Sequence, residues 1–479
     1  MNDLDRRALL AGAGVLSAAA LAAGGPLNPP AGPVAPTPGP EPRIPINALN
    51  TPGTALAQFR ISQPGSYYLP GNITAPAGAS GILVEAENVS IDLMGYSIIG
   101  AGGAGGHGIH VNGAQHNFSV CNGVIRGFGG SGIQAFGAHR CSVLNVRASN
   151  NGASGVSVNN FSRVVNCQSG NNGTFGFSTN TGSALSGCVA NNNGSVGYNA
   201  GPTCTYTQCT AYQNGAEGFA LSAATVLNDC VSHANTGSGF TMGGASVARG
   251  CVAYVNGGDG FQASTAGALC EACTGSDNTG SGFSGPFTLR GCTAHSNDLD
   301  GVRAGAMVDG CNATNNTLKG IAVAGGGQVA GSRSASNGGF GIDIASASMA
   351  AGCLVHECGG DGITSAANCH IVGNHVFSPG FAGSPAEGIV ASGGTRVSGN
   401  TVVLATGTGV VAAGGSLVEG NLATGGAAGF SLAGSSIGVR NAALLNAGAD
   451  YVFGVAGLSG GQVTSPNVAA SPPASNLFA

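Results

Sequence analysis

The chain is built from very short runs in which every second position is apolar or small. Cys188 and Ala190, Phe219 and Leu221, and Ile342 and Ile344 are such pairs, and a two-residue period is that of a half-buried strand. The runs recur with a fixed spacing. Cys167, Cys188, Cys209, Cys230 and Cys251 stand 21 residues apart; Cys273, Cys292 and Cys311 follow at 22, 19 and 19, then Ser332 and Cys353 at 21 and 21. Five residues after each of the first nine comes an asparagine: Asn172, Asn193, Asn214, Asn235, Asn256, Asn278, Asn297, Asn316 and Asn337. Four residues further on comes a glycine followed by an apolar residue, from Gly176-Phe177 to Gly341-Ile342.

A period of 19 to 22 residues is too short for two packed helices, and its Gly, Asn, Ser and Thr filling forms helices poorly. The same short strands laid down in every period, with no hairpin between copies, stack as parallel strands, so the pattern predicts an all-β, single-domain parallel β-helix. Stacked coils place equivalent side chains about 4.8 Å apart. The cysteines form an inward column of small, soft hydrophobes. The asparagines sit at a turn, tolerating left-handed geometry and bonding the next amide up the stack. Within the regular repeats the length variation lies between the Gly-apolar pair and the next cysteine. Weaker copies run from Gly81-Ile82 to Gly429-Phe430, which gives about 17 coils and a rod of roughly 80 Å. Residues 46–80 are expected to cap one end, residues 81–443 to form the repeats, and residues 444–479 to cap the other end and trail from it.

Residues 81–100, GILVEAENVSIDLMGYSIIG, together with the later repeats, resemble exported bacterial right-handed parallel β-helix proteins of the pectate-lyase-like superfamily. The resemblance covers about residues 60–450 and implies a right-handed solenoid. It implies little about activity, because lyases, glycoside hydrolases, epimerases, tailspikes and adhesins share the fold.

Composition narrows the function classes. Only 7% of the 479 residues are charged, with 15 basic against 20 acidic side chains, and no basic cluster follows the first few positions. That excludes nucleic acid as a partner held by charge, and the 43% hydrophobic content predicts a folded chain. Arg6-Arg7 before an Ala/Gly/Leu stretch reads as a twin-arginine type signal peptide over residues 1–23, and residues 24–45 read as a Pro-rich linker. The expected mature form is an exported monomer that does not span a membrane, located in the periplasm, cell envelope or extracellular space.

Candidate chemistry follows the columns. Fifteen cysteines at regular spacing, an odd number sharing a place with Ser332, read as buried thiols and not as a disulfide framework. Local pairing stays open at Cys270/Cys273 and Cys353/Cys358. The position before the glycine holds Glu217, Asp259, Asp300, Lys319, Asp361 and Glu387, and Lys319 is the only lysine. Asp300, Arg303 and Lys319 are the catalytic candidates. By the resemblance, a basic residue there would abstract the proton beside a uronate carboxylate, and Asp298 and Asp300 would hold Ca²⁺. No cofactor is expected outside that lyase alternative. Tyr212, His233, Tyr254, His295 and His356 form an outward column whose ring faces are candidates for binding polysaccharide or a cell-surface component. The expected function is an exported surface protein, non-catalytic or polysaccharide-contacting; the alternative is a polyuronate lyase acting by β-elimination or another carbohydrate-active enzyme.

Overall fold

The computed structural model describes residues 43–103, 105–380 and 385–453. Residues 1–23, read as a signal peptide, nearly all of the segment read as a linker, and the tail beyond residue 453 lie outside them. All the regular elements among the described residues are strands. A representative coil runs Phe177–Thr179, Ala184–Ser186, Val189–Asn191, and the next repeats it as Tyr198–Ala200, Thr205–Thr207, Thr210–Tyr212. Each strand pairs in parallel with its equivalent one coil away, Phe177 facing Tyr198 and Tyr198 facing Phe219. The glycine strands form one face of a right-handed solenoid. The strands on either side of the cysteine position form the other sheet, because in the first coils they are one continuous strand, as in Ser119–Arg126 and Ser142–Ser149.

The solenoid has about 19 turns, against the expected 17. The extra ones lie in the segments read as caps. Ala57–Ile61 pairs with Ser80–Val84, and Tyr451–Phe453 pairs with Ala428–Leu432. Their glycine positions are occupied by Gln58 and Asp450, which hides them from a motif search.

The asparagine column is the most completely bonded feature of the fold. Asn214 Nδ2 donates to Asn235 Oδ1 (2.9 Å), and Asn235 Nδ2 donates to Asn256 Oδ1 (3.1 Å). The chain of side-chain amides runs unbroken from Asn151 to Asn337. Each Oδ1 also accepts the backbone N–H of the preceding asparagine, as Asn235 Oδ1 does from Asn214 (3.0 Å). The remaining Nδ2 proton goes to a backbone carbonyl, Ala211 O for Asn235. These side chains are at most 2% exposed. The glycine four residues on is there to make room for them: a Cβ at Gly197 would stand 2.7 Å from Gly218 O and 2.9 Å from Asn214 Nδ2. The N-x-x-x-G spacing is therefore one packing unit.

Left-handed backbone falls one residue before the expected position. Asn171, Asn192, Gln213, Ala234 and Val255 have φ between 52° and 57°, whereas the asparagine column itself does not adopt that conformation. The column side chains are committed to the ladder, and the turn is made by the exposed neighbour. Two insertions also depart from the expected length rule. They fall before Gly108 and before Gly388, in the turn that is constant in length between residues 167 and 341.

Fourteen of the fifteen cysteines are buried free thiols, including Cys270, Cys273, Cys353 and Cys358; Cys121 is half-buried. Cys188 Sγ donates to Ser186 O (3.4 Å) and Cys251 Sγ to Arg249 O (3.4 Å). Burial pushes the Cys141 thiol up to about 11 and Cys358 up to about 12, so both stay neutral at physiological pH. After Cys353 the cysteine position is taken by Asn374, Asn400, Asn421 and Asn441, which form a second amide ladder at 2.9–3.0 Å. Cysteine, serine and asparagine interchange there because each accepts a backbone N–H from the preceding coil: Cys292 N donates to Cys311 Sγ, Cys311 N to Ser332 Oγ and Cys353 N to Asn374 Oδ1. On the opposite wall Phe177, Tyr198, Phe219, Phe240, Phe261 and Phe283 stack face to face at 4.5–5.1 Å.

Two substitutions check this account by denaturant unfolding. Asn235→Ala leaves buried partners unmatched on both sides and is expected to destabilise by about 3 kcal/mol. Val255→Asn relieves a β-branched residue held at φ 57° and is expected to stabilise by about 1 kcal/mol.

Candidate functional site

The strands that follow the cysteine position carry the outward ring column. Tyr212 pairs with His233 and His233 with Tyr254, and the three rings stack at 5.2 and 4.9 Å with interplanar angles of 6° and 11°. The rings cover each other's faces, so what the inner part of the ladder presents to solvent is a row of edges: phenol hydroxyl, imidazole, phenol hydroxyl. Burial holds the His233 imidazole below the usual histidine range, which keeps it neutral. Thr210, Val231 and Val252 line the row on one side. His295 does not join the ladder. Ser276 separates it from Tyr254, and its Nδ1 lies 3.0 Å from Thr314 Oγ1. His356 belongs to a second, shorter stack with Phe377 at 4.9 Å. Phe377 escaped the sequence reading because its coil has Asn374 where the motif expects cysteine.

The glycine-strand face carries the charged candidates. The acidic column before the glycine caps turns: Asp259 Oδ1 accepts Ser281 N–H (2.7 Å), Asp300 Oδ1 accepts Lys319 N–H (3.0 Å), and Asp361 Oδ1 accepts Glu387 N–H (2.8 Å). Asp300 thus meets the Lys319 backbone. The Lys319 ammonium reaches the following coil, where Nζ donates to Asp343 Oδ2 (2.6 Å) and lies 5.7 Å from the centroid of the Phe340 ring. Arg303 Nη2 donates to Ser284 Oγ (2.9 Å), and Asp343 Oδ1 accepts from Thr364 Oγ1 (2.8 Å). The three candidates share a face but do not converge on one point, and the only amine is held in an ion pair that proton abstraction would have to break. Asp343, two coils from Arg303 in the same outward column, was missed because its own coil has Phe340 at the position scanned for charge.

The metal candidates do not fit Ca²⁺ as a pair. Asp298 is exposed and Asp300 is engaged by a turn amide. Among the described residues no group of three or more His, Cys, Asp or Glu is arranged to hold a metal ion. The capping role predicts that Asp300→Ala lowers stability by about 1 kcal/mol, while Asp300→Asn, which keeps an acceptor, stays close to the parent; thermal unfolding of the two variants distinguishes them.

No family model matches the chain, and no curated protein matches it. Among solved structures it is similar to the A-module of a mannuronan C-5 epimerase from Azotobacter vinelandii, at 13% identity over 82% of this chain and 90% of that one, with a TM-score of 0.24. It is also similar to a pectate lyase, at 18% identity over 45% of this chain and 60% of that one, with a TM-score of 0.26. A third is a siphovirus tailspike receptor-binding domain, at 10% identity over 84% and 74% of the two chains, with a TM-score of 0.31. With identities of 10–18% and TM-scores of 0.24–0.31 these likenesses carry nothing about activity. The fold therefore rests on the chain's own strands: by their parallel register, coil on coil, it is a parallel β-helix.

Proposed function

We propose that this chain is an exported, non-catalytic β-helix that contacts polysaccharide along the sheet that flanks the cysteine position. The observation that carries the reading is the Tyr212–His233–Tyr254 ladder, a polar edge repeated at 4.9–5.2 Å on a regular strand face. A hydroxyl donates and accepts, and a neutral imidazole does one at each nitrogen. A row of such groups at fixed spacing suits a ligand that itself repeats its hydroxyls, and each hydrogen bond contributes only about 1 kcal/mol, so binding depends on several in register. The export half of the proposal rests on Arg6-Arg7 and the apolar stretch behind them, together with the absence, among the described residues, of any helix long and apolar enough to cross a membrane. Against the polyuronate lyase stands the Lys319–Asp343 ion pair.

Affinity electrophoresis in alginate, pectate and a neutral β-glucan tests the proposal. Retardation in at least one of them is expected, and the doubly substituted Tyr212→Phe/Tyr254→Phe protein, which keeps the stacked rings and loses both hydroxyls, is expected to bind about tenfold more weakly. Equal retardation of the two proteins in every gel, or unsaturated product released from alginate or pectate, contradicts it.

A further inference from the structure

The glycine-strand face is not uniform along its length. Most of its strands alternate, Phe219 and Leu221 buried and Ala220 half-exposed; in Ser80–Val84 all five residues are buried, and where Val156–Val158 and Phe177–Thr179 bury a serine at the outward position this strand buries a leucine. Leu83 is in the outward column, between Arg60 and His110, yet it is only 7% exposed. It forms the floor of a cleft of about 300 Å³ lined by Leu56, Glu85, His107, His110 and Asn112 among others. One wall comes from the insertion before Gly108. Gly106 has φ 58°, and a Cβ there would stand 2.4 Å from Ala79 O, so the inserted turn lies directly against the turn before Ser80.

The insertion fixes His107. Its backbone N–H donates to Ser80 Oγ (3.0 Å), its carbonyl accepts Gly81 N–H (2.8 Å), and its Nδ1 accepts Ser131 N–H (2.9 Å). An imidazole that accepts at Nδ1 carries its proton on Nε2 when neutral, so His107 brings a donor to the cleft. Burial, and for His107 the neighbouring His110, holds the imidazoles of both residues below the usual histidine range, and their rings stand 4.9 Å apart. The His110 imidazole, unlike its ladder-paired backbone, has no hydrogen-bond partner among the described residues. Glu85 receives the Arg60 Nε–H at Oε2 (2.6 Å), which leaves Oε1 as an acceptor with its charge matched.

We infer that this cleft is a binding site for a neutral glycosyl unit, separate from the ring ladder on the sheet that flanks the cysteine position. An apolar floor of Leu83 with exposed Leu56 beside it, and a fixed N–H donor, a second imidazole, a carboxylate oxygen and the Asn112 amide around it, matches a pyranose in having one C–H face and a rim of hydroxyls that donate and accept. The volume is at the small end of the range of ligand pockets, about 300–1,000 Å³, which limits it to one or two such units. A uronate is disfavoured: the Arg60 guanidinium is already paired with Glu85, and both imidazoles are uncharged, so among the described residues no free cation faces its carboxylate. A metal ion is disfavoured because the Ser131 contact leaves His107 Nε2 protonated.

Saturation-transfer difference NMR on the full-length chain, with cellobiose and methyl α-D-mannopyranoside as neutral probes and galacturonate as the anionic one, tests the site. Transfer to at least one neutral probe is expected, with galacturonate bound about tenfold more weakly or not at all. His110→Ala and Asn112→Ala, both at outward positions, are expected to raise the dissociation constant about tenfold with unchanged thermal unfolding, while Tyr212→Phe/Tyr254→Phe leaves it unaltered. Absence of transfer to both neutral probes, equal binding of galacturonate, or parent-like affinity in both cleft variants overturns the assignment. Loss of binding in the tyrosine variant alone assigns the sugar to the ladder and overturns the cleft as a separate site.

Discussion

Register in this solenoid depends on one contact repeated from coil to coil, the side-chain amide of an asparagine donating to the side-chain oxygen of the next. In a parallel strand three residues long the buried face forbids a slip of one residue, but a slip of two keeps that face inward and costs few hydrogen bonds. The ladder from Asn151 to Asn337 removes that freedom, because each Oδ1 receives both a side-chain and a backbone N–H from the coil before it. In a dry interior these bonds are strong, and any member left unmatched is costly.

Much of the remaining sequence follows from that constraint. The glycine four residues on has to leave space for the amide, and the exposed residue before the asparagine takes the left-handed turn so that the asparagine itself does not. Once the turn is fixed, the inward positions on either side fall into columns: thiols on one wall, stacked aromatic rings on the other. The change of residue at the cysteine position after Cys353 shows that the requirement there is for a small acceptor, met by sulfur, hydroxyl or amide alike. Surface features inherit the same spacing. The Tyr212–His233–Tyr254 ladder and the capping carboxylates of Asp259, Asp300 and Asp361 are columns imposed by register, whatever they bind.

Repetition also determines what the sequence reveals. The fold, the period and the buried state of the cysteines are legible because each is stated many times over. Single events are not. The first and last coils carry Gln58 and Asp450 at the glycine position, and the second amide ladder at Asn374, Asn400, Asn421 and Asn441 changes residue type in mid-column. Asp343 is the partner of Lys319, yet nothing in the spacing joins residues 24 apart on different rows. The cleft around His107 arises from one insertion. Conversely, Asp300, Arg303 and Lys319 are close in sequence and share a face, but an outward side chain chooses its partner by coil as well as by row, and Lys319 reaches forward and not back.

The amide ladder as the determinant of register is tested most directly by native-state hydrogen exchange resolved to single residues. The backbone amides of Asn172 through Asn316 are expected to form the slowest class, exchanging together and only as the coils open cooperatively. Exchange of these amides at rates like those of Gly105 and Gly106 in the inserted turn, or independently of one another, would contradict it.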